Sequence, residues 1–168
     1  APGPIAIQSF DIGLEGVVEK FLRPPLGPKD IRAIEYEYKA GETNKAASEA
    51  LRDCFIEDFK IALVHARTII WDTETELWEV FRNAEFGQNN QGVATDAPKD
   101  YVKLNSAYRD LIQLAYDTGV NLQLIQKVKE KWVSVKELDF YTKQPKMKPH
   151  NTGELEPTGF KEAGYLVQ

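Results

Sequence analysis

The stretch from Thr43 to Ile70 belongs to the longest run of this 168-residue chain that lacks both glycine and proline. Its apolar residues recur at steps of three or four, which is the spacing of one buried face of an α-helix. They are Leu51, Phe55, Phe59, Ala62, Ala66 and Ile69. A helix over the whole stretch would be roughly 40 Å long. The sequence therefore predicts one long helix at the centre of a small domain.

Further apolar stripes with helical spacing predict a helix over Ser9–Leu22, another over about Asp72–Phe86, and a third that begins near Asp96. Ile125, Val128, Trp132 and Val135 predict a last helix, which Asn121 can cap. Residues 30–39 are ambiguous, because Ile34, Tyr36 and Tyr38 alternate with charged residues as in a strand. A lone strand has no partner, so we expect a short helix there. The predicted fold is all-α: an antiparallel helical bundle of four to five helices with extended Pro-rich N- and C-terminal arms.

The helical pattern ends at about residue 143, and this divides the chain. Residues 1–142 are predicted to form the helical-bundle domain, and residues 143–168 an extended C-terminal arm. The arm contains three prolines and three glycines and shows no periodicity, yet it ends on apolar residues. An apolar tip on an extended arm indicates a groove to receive it, on this chain or on a neighbour.

Composition limits the function less than it limits the fold. The net charge is −5, which disfavours diffuse binding to nucleic acid or to an anionic membrane. Cys54 is the single cysteine, so no disulfide forms within the chain. No apolar run approaches the roughly 20 residues of a membrane span, and no signal-peptide pattern is visible. The compartment stays undefined.

Catalytic and metal-binding motifs are missing from the sequence. The chain has two histidines and one cysteine, too few for a structural zinc site. It has no nucleophile elbow, phosphate-binding loop or dinucleotide fingerprint. We therefore expect no metal, no cofactor and no enzymatic activity. The enzymatic alternative is a small enzyme that uses His65 with a carboxylate or Tyr partner.

The first functional hypothesis is a non-enzymatic structural or accessory subunit that acts by protein–protein contacts in a larger assembly. Arms that wrap a neighbour commonly hold assemblies together, and the partner would be another subunit of the same or a different chain. The predicted partner-binding residues are the aromatic and apolar residues of the C-terminal arm and of the ambiguous segment: Phe160, Tyr165, Leu166, Val167, Tyr36 and Tyr38.

The alternative is an RNA-binding coat protein or nucleoprotein that polymerises on a strand. Residues 127–148 contain seven lysines interleaved with aromatic side chains, a pattern typical of single-strand binding by phosphate contact and stacking. Its predicted contact residues are Lys127, Lys129, Lys131, Lys136, Trp132, Arg67, Arg82 and Arg109. The same stretch also fits the exposed face of a last helix with Trp132 in the core. The net charge makes nucleic acid the less favoured partner.

Overall fold

A computed structural model of the chain shows an α/β fold with a parallel sheet. The structure describes residues 3–10, 19–20, 23, 30–39, 44–87, 101–138, 145–160 and 163. In chain order the described strands and helices are β1 (Ile5–Ser9), β2 (Ile31–Glu35), α1 (Lys45–His65), β3 (Thr68–Asp72), α2 (Glu74–Phe86), α3 (Val102–Asp117), β4 (Asn121–Ile125), β5 (Val128–Leu138) and β6 (Pro145–Pro157).

The first four strands form one sheet in the order β2-β1-β3-β4, and every neighbouring pair is parallel. Gln8 is level with Ile34 on one side and with Trp71 on the other, and Trp71 is level with Leu124. Level residues of parallel strands point to the same face. The two remaining strands, β5 and β6, pair antiparallel and form a separate hairpin.

The core lies between the helices and the sheet face that carries Trp71. Phe55 of α1 contacts the rings of Trp71 and of Phe81 in α2, and Trp71 also contacts Tyr108 of α3. Phe55, Trp71 and Tyr108 are almost completely buried. Large apolar rings supply much of the burial that stabilises a small domain, so the three helices are held to one sheet face mainly by aromatic packing.

The prediction of an all-α helical bundle is wrong, because four short segments are strands of the parallel sheet and two longer ones form the hairpin. The long central helix is present but ends at His65, and Ile69 belongs to β3. The apolar stripe continues across this boundary because a strand residue that faces the core can fall at helical spacing by coincidence.

The predicted last helix is also wrong, since its residues form β4 and β5. Residues 30–39 contain a strand rather than a short helix, and the partner that the strand needed is β1. Most of the predicted helix over Ser9–Leu22 lies outside the described residues, and Ser9 itself ends β1. The predicted helix over about Asp72–Phe86 is confirmed as α2, which begins at Glu74. The helix predicted to begin near Asp96 is present as α3, but it begins at Val102, and Asp96 itself lies outside the described residues.

Candidate functional site

The β5–β6 hairpin is the most exposed element that the structure describes. Its strands pack on each other, and none of the other described elements makes more than a minor contact with either. The pairing register shifts between Glu130 and Trp132, where Lys131 alone lies against residues 152–154; this irregularity, of the kind that a β-bulge produces, is called the bulge below. The bulge separates an inner half (residues 128–131 and 152–157) from an outer half (residues 132–138 and 145–151).

Lysines of the inner half are paired with glutamates. Lys129 Nζ lies 3.4 Å from Glu156 Oε1, and Lys131 Nζ lies 2.7 Å from Glu154 Oε2. The hydrogen bond between Lys131 and Glu154 raises the pKa of the lysine and lowers the pKa of the glutamate. The inner half therefore presents little net charge to a ligand.

Lysines of the outer half lie opposite mostly uncharged residues. Lys136 is level with Met147, and Lys148 is level with Val135, and all four side chains are exposed. Lys146, also exposed, is level with Glu137. The outer half, with three lysines and one glutamate, therefore has a net charge of +2, whereas the inner half, with two lysines and three glutamates, has a net charge of −1.

Trp132 lies on the outer half just beyond the bulge. Its side chain is 56% exposed, and it is level with Asn151 across the hairpin. Alternate residues of a strand share a face, so Trp132, Ser134 and Lys136 point to the same side of the hairpin. Trp132 and Lys136 are four residues apart, or roughly 13 Å along the strand. An exposed indole is therefore aligned with an exposed cation.

The base of the hairpin is fixed to the start of α2. Thr158 N donates to Lys127 O over 2.8 Å, and Lys127 N donates to Thr75 Oγ1 over 3.0 Å. Lys127 Nζ also forms an ion pair with Glu76 of α2. The hairpin therefore leaves the domain at a defined position, directly after β4.

A buried carboxylate lies beneath this base. Glu74 is completely buried at the start of α2; its Oε1 accepts hydrogen bonds from Tyr108 Oη (2.9 Å) and Phe160 N (3.2 Å), and its Oε2 accepts one from Gln126 Nε2 (2.8 Å). Burial is the main reason why the pKa of Glu74 is raised, against the opposing effect of these hydrogen bonds; the charge of Glu76 adds to the rise. Glu74 thus joins α3, the end of β4 and the segment that follows the hairpin.

Of the six predicted partner-binding residues, the three that the structure describes are buried or partly buried in the domain. Tyr36 is 6% exposed, and its hydroxyl donates to Asp58 Oδ2 over 2.9 Å and accepts from Gln8 Nε2 over 3.0 Å. The pKa of Tyr36 is raised, and burial is the largest cause. Tyr38 is partly buried with its hydroxyl bonded to Asn83, and burial followed by the charge of Glu79 raises its pKa to about 12.

Phe160 is 3% exposed and packs against the rings of Trp78 and Tyr108. Tyr165, Leu166 and Val167 lie outside the described residues. The protein-contact hypothesis for these six residues, and the division of the chain at residue 143, stay predictions.

The structure separates the residues of the nucleic-acid alternative into distinct regions. Lys127, Lys129, Lys131, Lys136 and Trp132 lie at the base or on the strands of the hairpin. The arginines do not join them. Arg67 is exposed at the amino-terminal edge of the sheet, Arg82 on α2 pairs with Glu79, and Arg109 is exposed on α3.

His65 is exposed at the end of α1, where it lines a groove with Asp30 and Asp58. The enzymatic alternative based on His65 stays a prediction. In the described part of the chain, no three His, Cys, Asp or Glu side chains are grouped so as to hold a metal ion.

Sequence reasoning missed β6 as the partner that brings Lys146 and Lys148 beside β5. The signal for it was weak, because β6 contains Pro145, Pro149 and Gly153, residues that are depleted in strands. Sequence reasoning also missed Glu74 as a buried carboxylate, since nothing local separates it from the exposed glutamates that follow it.

Comparisons with known proteins add no identification. No protein-family model, no curated protein sequence and no solved structure matches this chain. None of the described helices is long and apolar enough to cross a membrane.

Proposed function

We propose that this protein binds single-stranded nucleic acid through the outer half of the β5–β6 hairpin. The observation that carries the proposal is the exposure of Trp132 on a strand that also presents Lys136. The competing interpretation placed Trp132 in a helical core, and the structure has neither that helix nor that burial.

The hairpin has an excess of positive charge, although the whole chain is acidic. Residues 127–157 contain seven lysines and five acidic residues, whereas the whole chain has a net charge of −5. Within the hairpin, glutamates neutralise the charge of the inner lysines. Such exposed ion pairs contribute little to the stability of the fold. Exposed charges act mainly within about 10 Å at 0.1 M salt. A phosphate at the outer half is therefore influenced mostly by Lys136 on the face of Trp132, and by Lys146 and Lys148 on the opposite face of the thin hairpin.

The exposed indole favours a single strand over a duplex. Stacking of a base on an aromatic side chain contributes about 1–3 kcal/mol and needs an unpaired base face. Bases of a duplex already stack on one another, although a two-stranded ribbon also fits the major groove. The residues that connect β5 to β6 include Phe140, Tyr141 and Lys143, the same combination of residue types.

The test is fluorescence anisotropy with a labelled 20-nucleotide dT oligomer, titrated at several salt concentrations. We expect W132A to weaken binding by about 1–3 kcal/mol, or roughly 5- to 150-fold in Kd, while W132F retains part of the affinity. The matched control is Y116A, which removes an aromatic side chain that is 75% exposed on α3. Y116A should bind like the wild type.

Charge is tested separately from stacking. K136E should weaken binding and reduce the slope of log Kd against log salt by about one. K103E makes the same change of charge at an exposed lysine on α3 and should leave the slope unchanged. Absence of binding at low salt, or equal losses in K136E and K103E, would contradict the proposal. Tighter binding to a duplex of the same length would contradict the single-strand specificity.

A further inference from the structure

Strand β2 forms an outer edge of the parallel sheet. In the part of the chain that the structure describes, β1 is its one strand neighbour. Ile5 N donates to Asp30 O, and Tyr36 N donates to Ser9 O. The backbone groups of a strand alternate in direction, so the even-numbered residues of β2 face β1. Ile31, Ala33 and Glu35 therefore direct their N–H and C=O groups outward.

A groove runs along this edge between β2 and α1. Its cavity is about 440 Å³. Ile34 and Ile61 line the groove and are 41% and 59% exposed. Arg32, His65 and Asp30 lie toward its amino-terminal end, and Asp58 lies toward its carboxyl-terminal end. The groove thus combines apolar walls with Arg32, His65 and Asp30 near one end and with Asp58, whose carboxylate accepts a hydrogen bond from Tyr36, near the other.

We propose that two copies of this chain associate through their β2 edges, antiparallel and centred on Ala33. A two-fold axis at Ala33 places Ile31 opposite the partner subunit's Glu35, and Arg32 opposite the partner subunit's Ile34. All the outward-facing residues then form hydrogen-bonded pairs, because antiparallel strands alternate hydrogen-bonded and non-hydrogen-bonded pairs. The two four-stranded sheets become one sheet of eight strands.

Side chains on the helix-covered face are complementary under the same rotation. The rotation brings the end of the groove that holds Arg32 toward the end of the other copy's groove that holds Asp58. Each Arg32 then lies between the Asp30 of its own chain and the partner subunit's Asp58, so that it can offset both carboxylates. Ile34 enters the line of contact between the two β2 strands, here called the seam, beside the partner subunit's Arg32. Exposed edge strands readily pair with another chain, and this charge pattern favours a second copy over an unrelated strand.

The seam is short, so we expect a dimer that dissociates in the micromolar range, as small interfaces do. The test is size-exclusion chromatography with light scattering on nucleic-acid-free protein between 1 and 200 μM. The mass should rise with concentration from the 19.1 kDa of one chain to twice that value. A mass that stays at one chain up to 200 μM would overturn the proposal, as would association that requires nucleic acid. Because β5 and β6 are not involved, this outcome is independent of strand binding by the hairpin.

Variants locate the seam. A33P removes an outward N–H and keeps the bonds from β2 to β1, and proline is tolerated in an edge strand when its nitrogen faces outward. It should raise the dimer dissociation constant at least tenfold, and so should R32E, which places a carboxylate near the partner subunit's Asp58. A33S keeps the N–H and should dimerise like the wild type. Unchanged association in A33P or R32E would place any dimer elsewhere.

A cross-link tests the register even where A33P fails to fold. In a C54S background, A33C places one cysteine on the two-fold axis. Opposed residues in a hydrogen-bonded pair have Cα atoms about 5.5 Å apart, within the range of a disulfide. Mild oxidation should link A33C into a covalent dimer much faster than E37C, which lies beyond the seam. Equal rates for the two variants would overturn the register.

Discussion

Glu74 is the residue at which distant parts of the chain meet. Its carboxylate receives hydrogen bonds from Tyr108 on α3, from Gln126 after β4 and from the backbone of Phe160. Burial raises its pKa above the ordinary value of 4.5, so the folded protein holds this proton more tightly than the unfolded chain does. The stabilisation that results is complete below the ordinary pKa and is lost as pH rises through the raised value of the folded state.

We expect E74Q to remove this pH dependence, because glutamine keeps the shape and can still accept the bonds of Tyr108 and Phe160. The free energy of unfolding of the wild type minus that of E74Q should fall as pH increases from 4.5 toward 8. Each unit of pKa shift corresponds to about 1.4 kcal/mol. Urea denaturation at several pH values measures the difference, and parallel profiles would contradict the expectation.

The variant E74A provides the contrasting case. Alanine leaves the Tyr108 hydroxyl, the Gln126 amide and the Phe160 N–H without their acceptor, and each buried unsatisfied group costs about 1–3 kcal/mol. We expect E74A to lose at least about 3 kcal/mol at neutral pH, and more than E74Q. A loss in E74A no larger than that in E74Q would show that these bonds do not stabilise the fold.

At the level of elements, the hairpin is held at one end. An isolated two-stranded hairpin is marginally stable in water, so β5 and β6 depend on the anchoring contacts at Lys127 and Thr158. Gly159 follows directly, with φ of +102°, and a side chain there would collide with the carboxylate of Glu74. The turn into the Glu74 site therefore requires glycine at this position.

We expect G159A to destabilise the protein by more than about 2 kcal/mol, because it adds a steric clash to the backbone strain of a positive φ. G153A is the matched control: Gly153 has φ of +75° within β6, but open space surrounds it. It should cost about 1 kcal/mol. Denaturant unfolding of both variants measures the difference, and equal losses would contradict the role of the clash.

The sequence predicts the helices better than the strands, and particular residues show why. The stripe of α1 is long, so its periodicity identifies a helix without knowledge of the rest of the chain. β1 and β3 are five residues each, and their pairing joins Ile5–Ser9 to Thr68–Asp72, far apart in sequence. Parallel strands need no tight turn between them, so no local signature marks them.

The hairpin was hidden by a coincidence of spacing. Ile125, Val128, Trp132 and Val135 fit a helix face at steps of three and four. Yet Ile125 belongs to β4 and the other three to β5, with the bulge between Val128 and Trp132. The lysines of the candidate site were recognisable from composition. Their division into an inner half, whose lysines pair with glutamates, and an outer half depends on β6, which the sequence pattern did not reveal.

The whole molecule combines a densely packed layer with an exposed ribbon. Local opening costs less free energy where few apolar contacts are buried. We expect amide hydrogen exchange to be slow in β3, which lies inside the sheet, and much faster in β5 and β6. Added single-stranded dT oligomer should slow exchange in the hairpin and leave β3 unchanged. Slowing that appears only in the sheet would contradict binding at the hairpin.

Because of where the three tryptophans lie, intrinsic fluorescence can report on the hairpin. Trp71 and Trp78 lie against other aromatic rings in the domain, whereas Trp132 projects into water from the outer half. Emission from Trp132 should occur at longer wavelength and should be the part that iodide quenches. Binding of any ligand that covers Trp132 should therefore shift tryptophan emission to shorter wavelength and reduce iodide quenching, and this can be measured in the unlabelled wild-type protein.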